Sequence, residues 1–415
     1  MPTNTISNLT LLLLAFTFSL NLFTLLLQFQ PNLLHRSHSH IATVIQTDIP
    51  NPTLISPSLF ASLEESSRLV DITYCIGSSG VRPPFTCLSH CSDFPNLTLI
   101  KTWNTGPLLA DSCGYIAIDH STRRIIVAFR GTYSLINTLY DLSTSKQEYV
   151  PYPGSGNGTR QGDEKTEVRC ENCTVHSGFY TAWQNTRDEI MPLLLETTSA
   201  YPSYTLHLLG HSLGGALAAL SGLELSNLNP VITTFGEPRI GNVGLRNYLD
   251  MLFDLRQAEN STHIDEREKN ERRYRRVTHI DDPIPLLPLT EWGFRPHAGE
   301  IFITKPSLPP DVNDVIHCKD DEDLRCIAGQ DSETLATLAL LQRNKALPQH
   351  DKTLLQPDKQ NLDSASWGLP ARYKMWQLLG AHRAYFWRLG LCVPGGDPFD
   401  WGRGKYGDGG GDEEL

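Results

Sequence analysis

The sequence predicts an α/β fold, with a mostly parallel central sheet covered by helices. Two observations carry that prediction. Arg124 to Phe129, Thr205 to Leu209, Val231 to Phe235 and Arg276 to Ile280 are short runs of nearly continuous apolar character. Strands buried on both faces read this way. Stretches with helical spacing lie between them, and alternating strands and helices build a parallel sheet. A length of 415 residues allows one large domain with appendages.

In chain order, the first feature is an apolar run from Leu9 to Leu27 that carries no charge. Residues 1–27 therefore read as a cleaved signal peptide or a retained N-terminal membrane anchor. Either route sends the remainder into the secretory pathway. Residues 28–54, with His, Pro and Asn, read as a linker. A helix opens at Ser56-Pro57, with Ser as N-cap and Pro at the first helical position. Leu59, Phe60, Leu63, Leu69, Val70 and Ile72 follow at near-helical spacing. The main domain is expected over residues 55–394. Two stretches interrupt its order and read as surface insertions: Ser143 to Val175, polar and rich in Gly, and Lys305 to Arg372, with one helical segment near Thr334 to Arg343. The tail, residues 395–415, carries a GDGGGD run and is expected to be disordered.

A net charge of -11 argues against a nucleic-acid partner, because a phosphate backbone needs a basic footprint. Asn-x-Ser/Thr acceptors for N-glycosylation stand at Asn96, Asn157, Asn172 and Asn260. Nine cysteines suit an oxidising compartment. Cys170 and Cys173 read as a disulfide in preference to half a zinc site, since no second Cys or His pair stands nearby.

Chemistry centres on Gly210-His211-Ser212-Leu213-Gly214, which follows the TLHLL strand and precedes the helix-forming GALAALSGLEL. That is the context of a nucleophile elbow, where small residues must flank a Ser presented at the strand end. A serine hydroxyl also needs a base oriented by an acid, in the chain order Ser, Asp or Glu, His. Asp281 and Asp282 both follow the strand ending at Ile280, and the pattern does not separate them. His297, His317, His350 and His382 lie beyond. His382, set between aromatic and apolar residues, ranks first without excluding the others. The Leu213 backbone N–H would serve as one oxyanion donor, and Thr132, after the RIIVAF strand and Gly131, would supply a second.

IKTWNT, IIVAFRGT, TLHLLGHSLGGALA, FGEPRIGN, DPIPLLP, HAGE and HRAYF occur in that order. Together they resemble the fungal class 3 triacylglycerol lipases, over about Cys75 to Cys392. The resemblance implies an α/β-hydrolase fold and a Ser-His-Asp triad of Ser212, His382 and Asp282, selecting Asp282 over Asp281. It assigns Thr132 and Leu213 to the oxyanion hole. It further implies disulfides Cys75–Cys392, Cys87–Cys91 and Cys318–Cys326, with Cys113 left over as a buried thiol. A short lid is implied after Thr132, where Leu135, Ile136, Leu139, Tyr140 and Leu142 supply an apolar face suited to a lipid surface. Two departures stand out: Asn137-Thr138 replaces the usual Asn-Trp pair, and the stretch before His382 is long.

The expected function is hydrolysis of acylglycerol esters at a lipid–water interface, through an acyl-enzyme and without metal or cofactor. A feruloyl-type esterase and a phospholipase are the enzymatic alternatives, and an apolar lid disfavours the former. A catalytically silent lipid-binding protein is the alternative of another class, disfavoured by intact Ser, Asp and His elements. The closing Asp-Glu-Glu-Leu resembles a luminal retrieval signal with an atypical first position. Retention in the endoplasmic reticulum therefore stands beside secretion and luminal anchoring as a destination. Oligomeric state has no signature in the sequence.

Overall fold

Strand β4 (Arg124–Phe129) shows how the sheet comes to be covered on both sides. Ile125, Val127 and Phe129 join one apolar cluster, while Ile126 and Ala128 join another. Successive strand side chains point to opposite faces, so a continuous apolar run supplies both layers at once. The computed structural model describes residues 53–106, 112–131, 145–151, 170–256, 271–331 and 380–393. All of them fall in the compact unit Pro52–Leu415.

The remaining strands of the central sheet are β1 (Thr53–Leu54), β2 (Leu97–Asn104), β3 (Cys113–Asp119), β7 (Thr205–His211), β8 (Val231–Phe235), β9 (Tyr274–His279), β10 (Glu300–Ile303) and β11 (Val315–His317). Their order is β1-β11-β10-β9-β8-β7-β4-β3-β2. From β4 through β7, β8 and β9 to β10 the pairing is parallel, and both flanks are antiparallel. Two small hairpin sheets join β5 (Lys146–Glu148) to β6 (Thr174–His176) and β12 (Ala384–Tyr385) to β13 (Trp387–Arg388).

Helix α1 (Pro57–Ile72) begins where Ser56 Oγ accepts the Leu59 amide, with Pro57 in the first turn. Its Leu59, Phe60, Leu63, Leu69, Val70 and Ile72 pack into the cluster with Ile126 and Ala128. Helices α2 (Ser177–Ala200), α3 (Leu213–Glu224) and α4 (Val243–Leu252) contribute to the cluster on the other face. Burying each such Leu or Ile is worth about 1.5–3 kcal/mol.

Disulfides join Cys75 to Cys392, Cys87 to Cys91, Cys170 to Cys173 and Cys318 to Cys326. Cys113 is buried, its Sγ 3.0 Å from Asn104 Oδ1.

Three boundaries differ from the sequence reading. The last two residues of the linker, Thr53 and Leu54, form β1 and pair with β11. The stretch read as a surface insertion from Lys305 first contributes β11 to the central sheet. Residues at the two ends of the stretch from Ser143 pair as β5 and β6. The anchor or signal segment, the helical segment near Thr334, the tail and the lid residues Leu135, Ile136, Leu139, Tyr140 and Leu142 lie outside the described residues. Among the described residues, no helix is long and apolar enough to cross a membrane.

Candidate active site

Ser212 sits between β7 and α3 with φ 58° and ψ -127°, a strained left-handed conformation. The turn closes tightly: a Cβ at Gly210 would lie 2.0 Å from the Gly214 carbonyl oxygen. Ala216, Ala218 and Ala219 are fully buried, so small side chains let α3 lie close to the sheet. The Ser212 amide donates to the Phe235 carbonyl of β8 at 2.9 Å, and the Ser212 carbonyl accepts from the amides of Gly215 and Ala216. Leu213 carries the first amide of α3, which has no acceptor within the helix. That geometry and the positive end of the helix dipole suit it to an anion.

His382 comes from a different part of the chain, a one-turn 3₁₀ segment at Ala381–Arg383 just before β12. Its ring is fully buried, and Nδ1 lies 2.9 and 3.0 Å from the two Asp282 carboxylate oxygens. Asp282 also accepts the Ile284 amide at 2.9 Å and the Tyr385 hydroxyl. Burial alone would raise the Asp282 pKa, but His382, Tyr385 and that amide together hold it below the usual carboxylate range. Burial and the Asp282 charge push the Tyr385 phenol well above its ordinary value, so it stays protonated and donates.

The two carboxylates that the residue pattern alone left open face different surroundings. Asp281 is exposed, with φ 67°, whereas Asp282 is 1% exposed against His382. The histidines separate as well. His297 is bound through Nε2 to Glu237 and through Nδ1 to the Ala298 carbonyl, and His317 is buried in β11. His350 lies outside the described residues, as does Thr132.

Ser212 Oγ and His382 Nε2 are both buried and neither has a hydrogen-bond partner. Leaving a buried polar atom open costs about 1–3 kcal/mol, and two in one site mark a place where a ligand or proton is handled. Gly236 brings the parts together. A Cβ there would lie 2.8 Å from His382 Cε1, 2.9 Å from Asp282 Oδ2 and 2.9 Å from Tyr385 Oη.

Three participants escaped the sequence reading: Tyr385, Gly236 and Tyr74, whose hydroxyl is 2.6 Å from His211 Nδ1. Tyr385 and Gly236 lie inside the quoted HRAYF and FGEPRIGN elements. Tyr74 has no local signature.

One group with metal-ligand spacing occurs among the described residues: Glu300, Cys318 and Cys326. Both sulfurs are in a disulfide, and the carboxylate is engaged by Arg276, Thr278 and the Ile327 amide.

A strained serine between strand and helix, on a sheet whose middle strands are parallel, places the chain in the α/β-hydrolase class. Within it, the model of the class 3 lipases matches residues 126–292. The chain is 50% identical over 374 residues to the secreted mono- and diacylglycerol lipase 2 of Gibberella zeae, covering 86% of this chain and 88% of that protein. It is also 50% identical over 382 residues to Lipase A of Sodiomyces alcalophilus, covering 88% of each. The Lip2 lipase of Yarrowia lipolytica matches with a TM-score of 0.60 and 27% identity, over 83% of this chain and 98% of that chain. The chain belongs to the class 3 lipase family and is a carboxylic ester hydrolase.

Proposed function

We propose that this protein hydrolyses mono- and diacylglycerols in the secretory pathway, with Ser212 as nucleophile, His382 as base and Asp282 as the group that orients it. The observation that carries the reading is the buried His382–Asp282 pair, with Nδ1 2.9 Å from the carboxylate, set beside the Ser212 elbow. Ser212 Oγ attacks the ester carbonyl while His382 Nε2 takes its proton. The Leu213 amide, with Thr132, holds the oxyanion. His382 then gives the proton to the departing alcohol, and water releases the fatty acid from the acyl-enzyme by the same steps. No step calls for a metal or cofactor. The substrate class follows from the 50% identity to a relative named for mono- and diacylglycerols.

Ser212 is fully buried, so part of the molecule must move before an ester reaches it. Leu135, Ile136, Leu139 and Tyr140 form the proposed lid, opening at a lipid surface. Secretion is the proposed destination, with residues 1–27 as signal and Asn96 and Asn172 as exposed glycan acceptors.

The test compares wild type with Ser212→Ala on emulsified mono-, di- and triacylglycerols and on soluble short-chain esters. Removing a triad nucleophile should cost on the order of 10⁴–10⁶ in turnover. Activity surviving in the variant overturns the assignment of Ser212. Cleavage confined to soluble short esters overturns the substrate class and the lid.

A further inference from the structure

Tyr74 and His211 are buried against the site yet take no part in the chemistry above. His211 precedes Ser212, and its ring lies over His382 with centroids 4.6 Å apart at 30°. Its Nε2 is 2.7 Å from the His382 backbone carbonyl, and its Nδ1 is 2.6 Å from the Tyr74 hydroxyl. A carbonyl oxygen only accepts, so Nε2 must carry a proton. Burial, followed by the neighbouring His382, pushes the His211 pKa down to about 3, so the ring is neutral and holds a single proton. Nδ1 is then the acceptor, and the Tyr74 hydroxyl donates to it.

Tyr74 also reaches the strand end that leads to Thr132. A Cβ at Gly131 would lie 2.4 Å from Tyr74 Oη, 2.8 Å from the His211 carbonyl and 3.0 Å from Ser212 Cβ. Gly131 packs directly against the phenol oxygen. One chain of donors thus runs from Tyr74 O–H to His211 and from His211 Nε2–H to the His382 carbonyl, with Gly131 packed against its Tyr74 end. It touches the segment before the oxyanion residue, the nucleophile turn and the backbone of the base. These are three parts that the sequence keeps 80 residues or more apart.

We propose that Tyr74 and His211 are positioning residues for ester hydrolysis, holding Ser212, His382 and the Gly131 strand end in one register through this hydrogen-bond chain and its packing against Gly131. Tyr74 selects the His211 tautomer, and that tautomer holds the His382 backbone. The inference rests on the assignment of Ser212, His382 and Asp282 given above. Groups that are already within a few tenths of an ångström of working geometry lose rate, not substrate affinity, when their supports loosen.

The experiment compares Tyr74→Phe, His211→Gln and His211→Asn with wild type and Ser212→Ala, on one emulsified diacylglycerol. Thermal midpoints are measured and active sites are titrated with a fluorophosphonate. Phe keeps the ring and its packing, so Tyr74→Phe should fold. It should lower kcat by about 10- to 100-fold per titrated site with KM changed by less than about 2-fold. Gln places an amide N–H where Nε2 stood and still reaches the His382 carbonyl, whereas Asn reaches only toward Tyr74. His211→Gln should therefore retain at least about 5-fold more kcat than His211→Asn, a difference that follows from donor placement. Wild-type kcat in Tyr74→Phe, or equal kcat in the two His211 variants at similar midpoints, overturns the proposal. Should the His211 variants not fold, Tyr74→Phe alone decides. A dead Ser212→Ala beside a fully active Tyr74→Phe removes only this inference, whereas an active Ser212→Ala removes the triad assignment beneath it.

Discussion

The turn that presents Ser212 is shaped mainly by residues adjacent to it in the chain, whereas the segment Gly380–Val393 that carries His382 is placed by residues 100 to 323 positions away. At the elbow, β7 passes into α3 through a turn that only small residues fit, and Gly210 lies against Gly214. The turn itself is set by these neighbours, and β8 adds one support through the Phe235 carbonyl that accepts the Ser212 amide. The His382 segment has only two two-residue strands of its own. It is held instead at separated points. Tyr385 bonds Asp282, His211 holds the His382 carbonyl, and Trp387 Nε1 donates to Glu64. The Gly390 amide donates to Asp71 at 2.8 Å, and Cys392 is bonded to Cys75 across 317 residues. Glu64 is fully buried with Arg68, and Asp71 is 1% exposed with Ser89. Buried carboxylates of this kind need several donors each, so they fix the geometry of whatever supplies those donors. A local motif therefore builds the proposed nucleophile, while a distributed set of tethers builds the proposed base.

That contrast breaks most sharply at Asp282, where the long-range half meets the chemistry. Asp282→Asn keeps the side-chain shape but offers His382 Nδ1 a different partner. The expected loss is on the order of 10⁴ in kcat, measured on an emulsified diacylglycerol. A loss below about 10-fold would mean that another acid orients His382.

Removing the covalent tether should separate the two regions in stability. Cys75→Ser combined with Cys392→Ser should lower the free energy of unfolding by about 2–5 kcal/mol in guanidinium titrations. Activity should also disappear at lower denaturant than the far-UV helical signal, because the His382 segment loosens while the elbow persists. Coincident loss of activity and helix would show that the segment has no separate stability, and the contrast drawn here would fail.

A further effect concerns pH. His211 titrates near 3 in the folded protein and near 6.5 when unfolded, so the unfolded state binds the extra proton between those values. Its contribution to stability is complete above about pH 6.5 and declines on acidification, by about 1.4 kcal/mol per pH unit. Urea unfolding between pH 7 and pH 4 should show a shallower acid slope in His211→Gln than in wild type. Parallel slopes would place the His211 proton elsewhere.

The strands show which features were legible. The apolar runs at β4 and β8 coincide with the observed elements. Strand β7 continues two residues beyond the apolar run, because Gly210 and His211 still pair with Thr234 and Phe235. Strand β9 begins earlier than its apolar part, at Tyr274, and Arg276 within it is 2% exposed. The pattern reads an arginine as a strand end, and Glu300, 2.9 Å away on β10, makes its burial tolerable. Strand β11 is three residues long and lay inside a stretch read as an insertion, too short for alternation to register.

The sequence by itself determined the class of the fold and the position of the elbow. Both depend on local quantities: strand and helix periodicity, and the space a tight turn leaves for side chains. It also marked Asp281 with Asp282, and four histidines, as the pool from which an acid and a base would come. The family resemblance selected Asp282 and His382 from that pool, and the tertiary structure supplies the physical reason. A positive φ at Asp281 turns its side chain to solvent while Asp282 is drawn into the protein. His382 meets it because Glu64, Asp71, Cys75 and His211, remote in the chain, hold the segment that carries it. Contacts between residues hundreds of positions apart leave no period and no spacing to read. The meeting of His382 with Asp282 therefore depends on long-range packing, and the Ser212 turn chiefly on its neighbours.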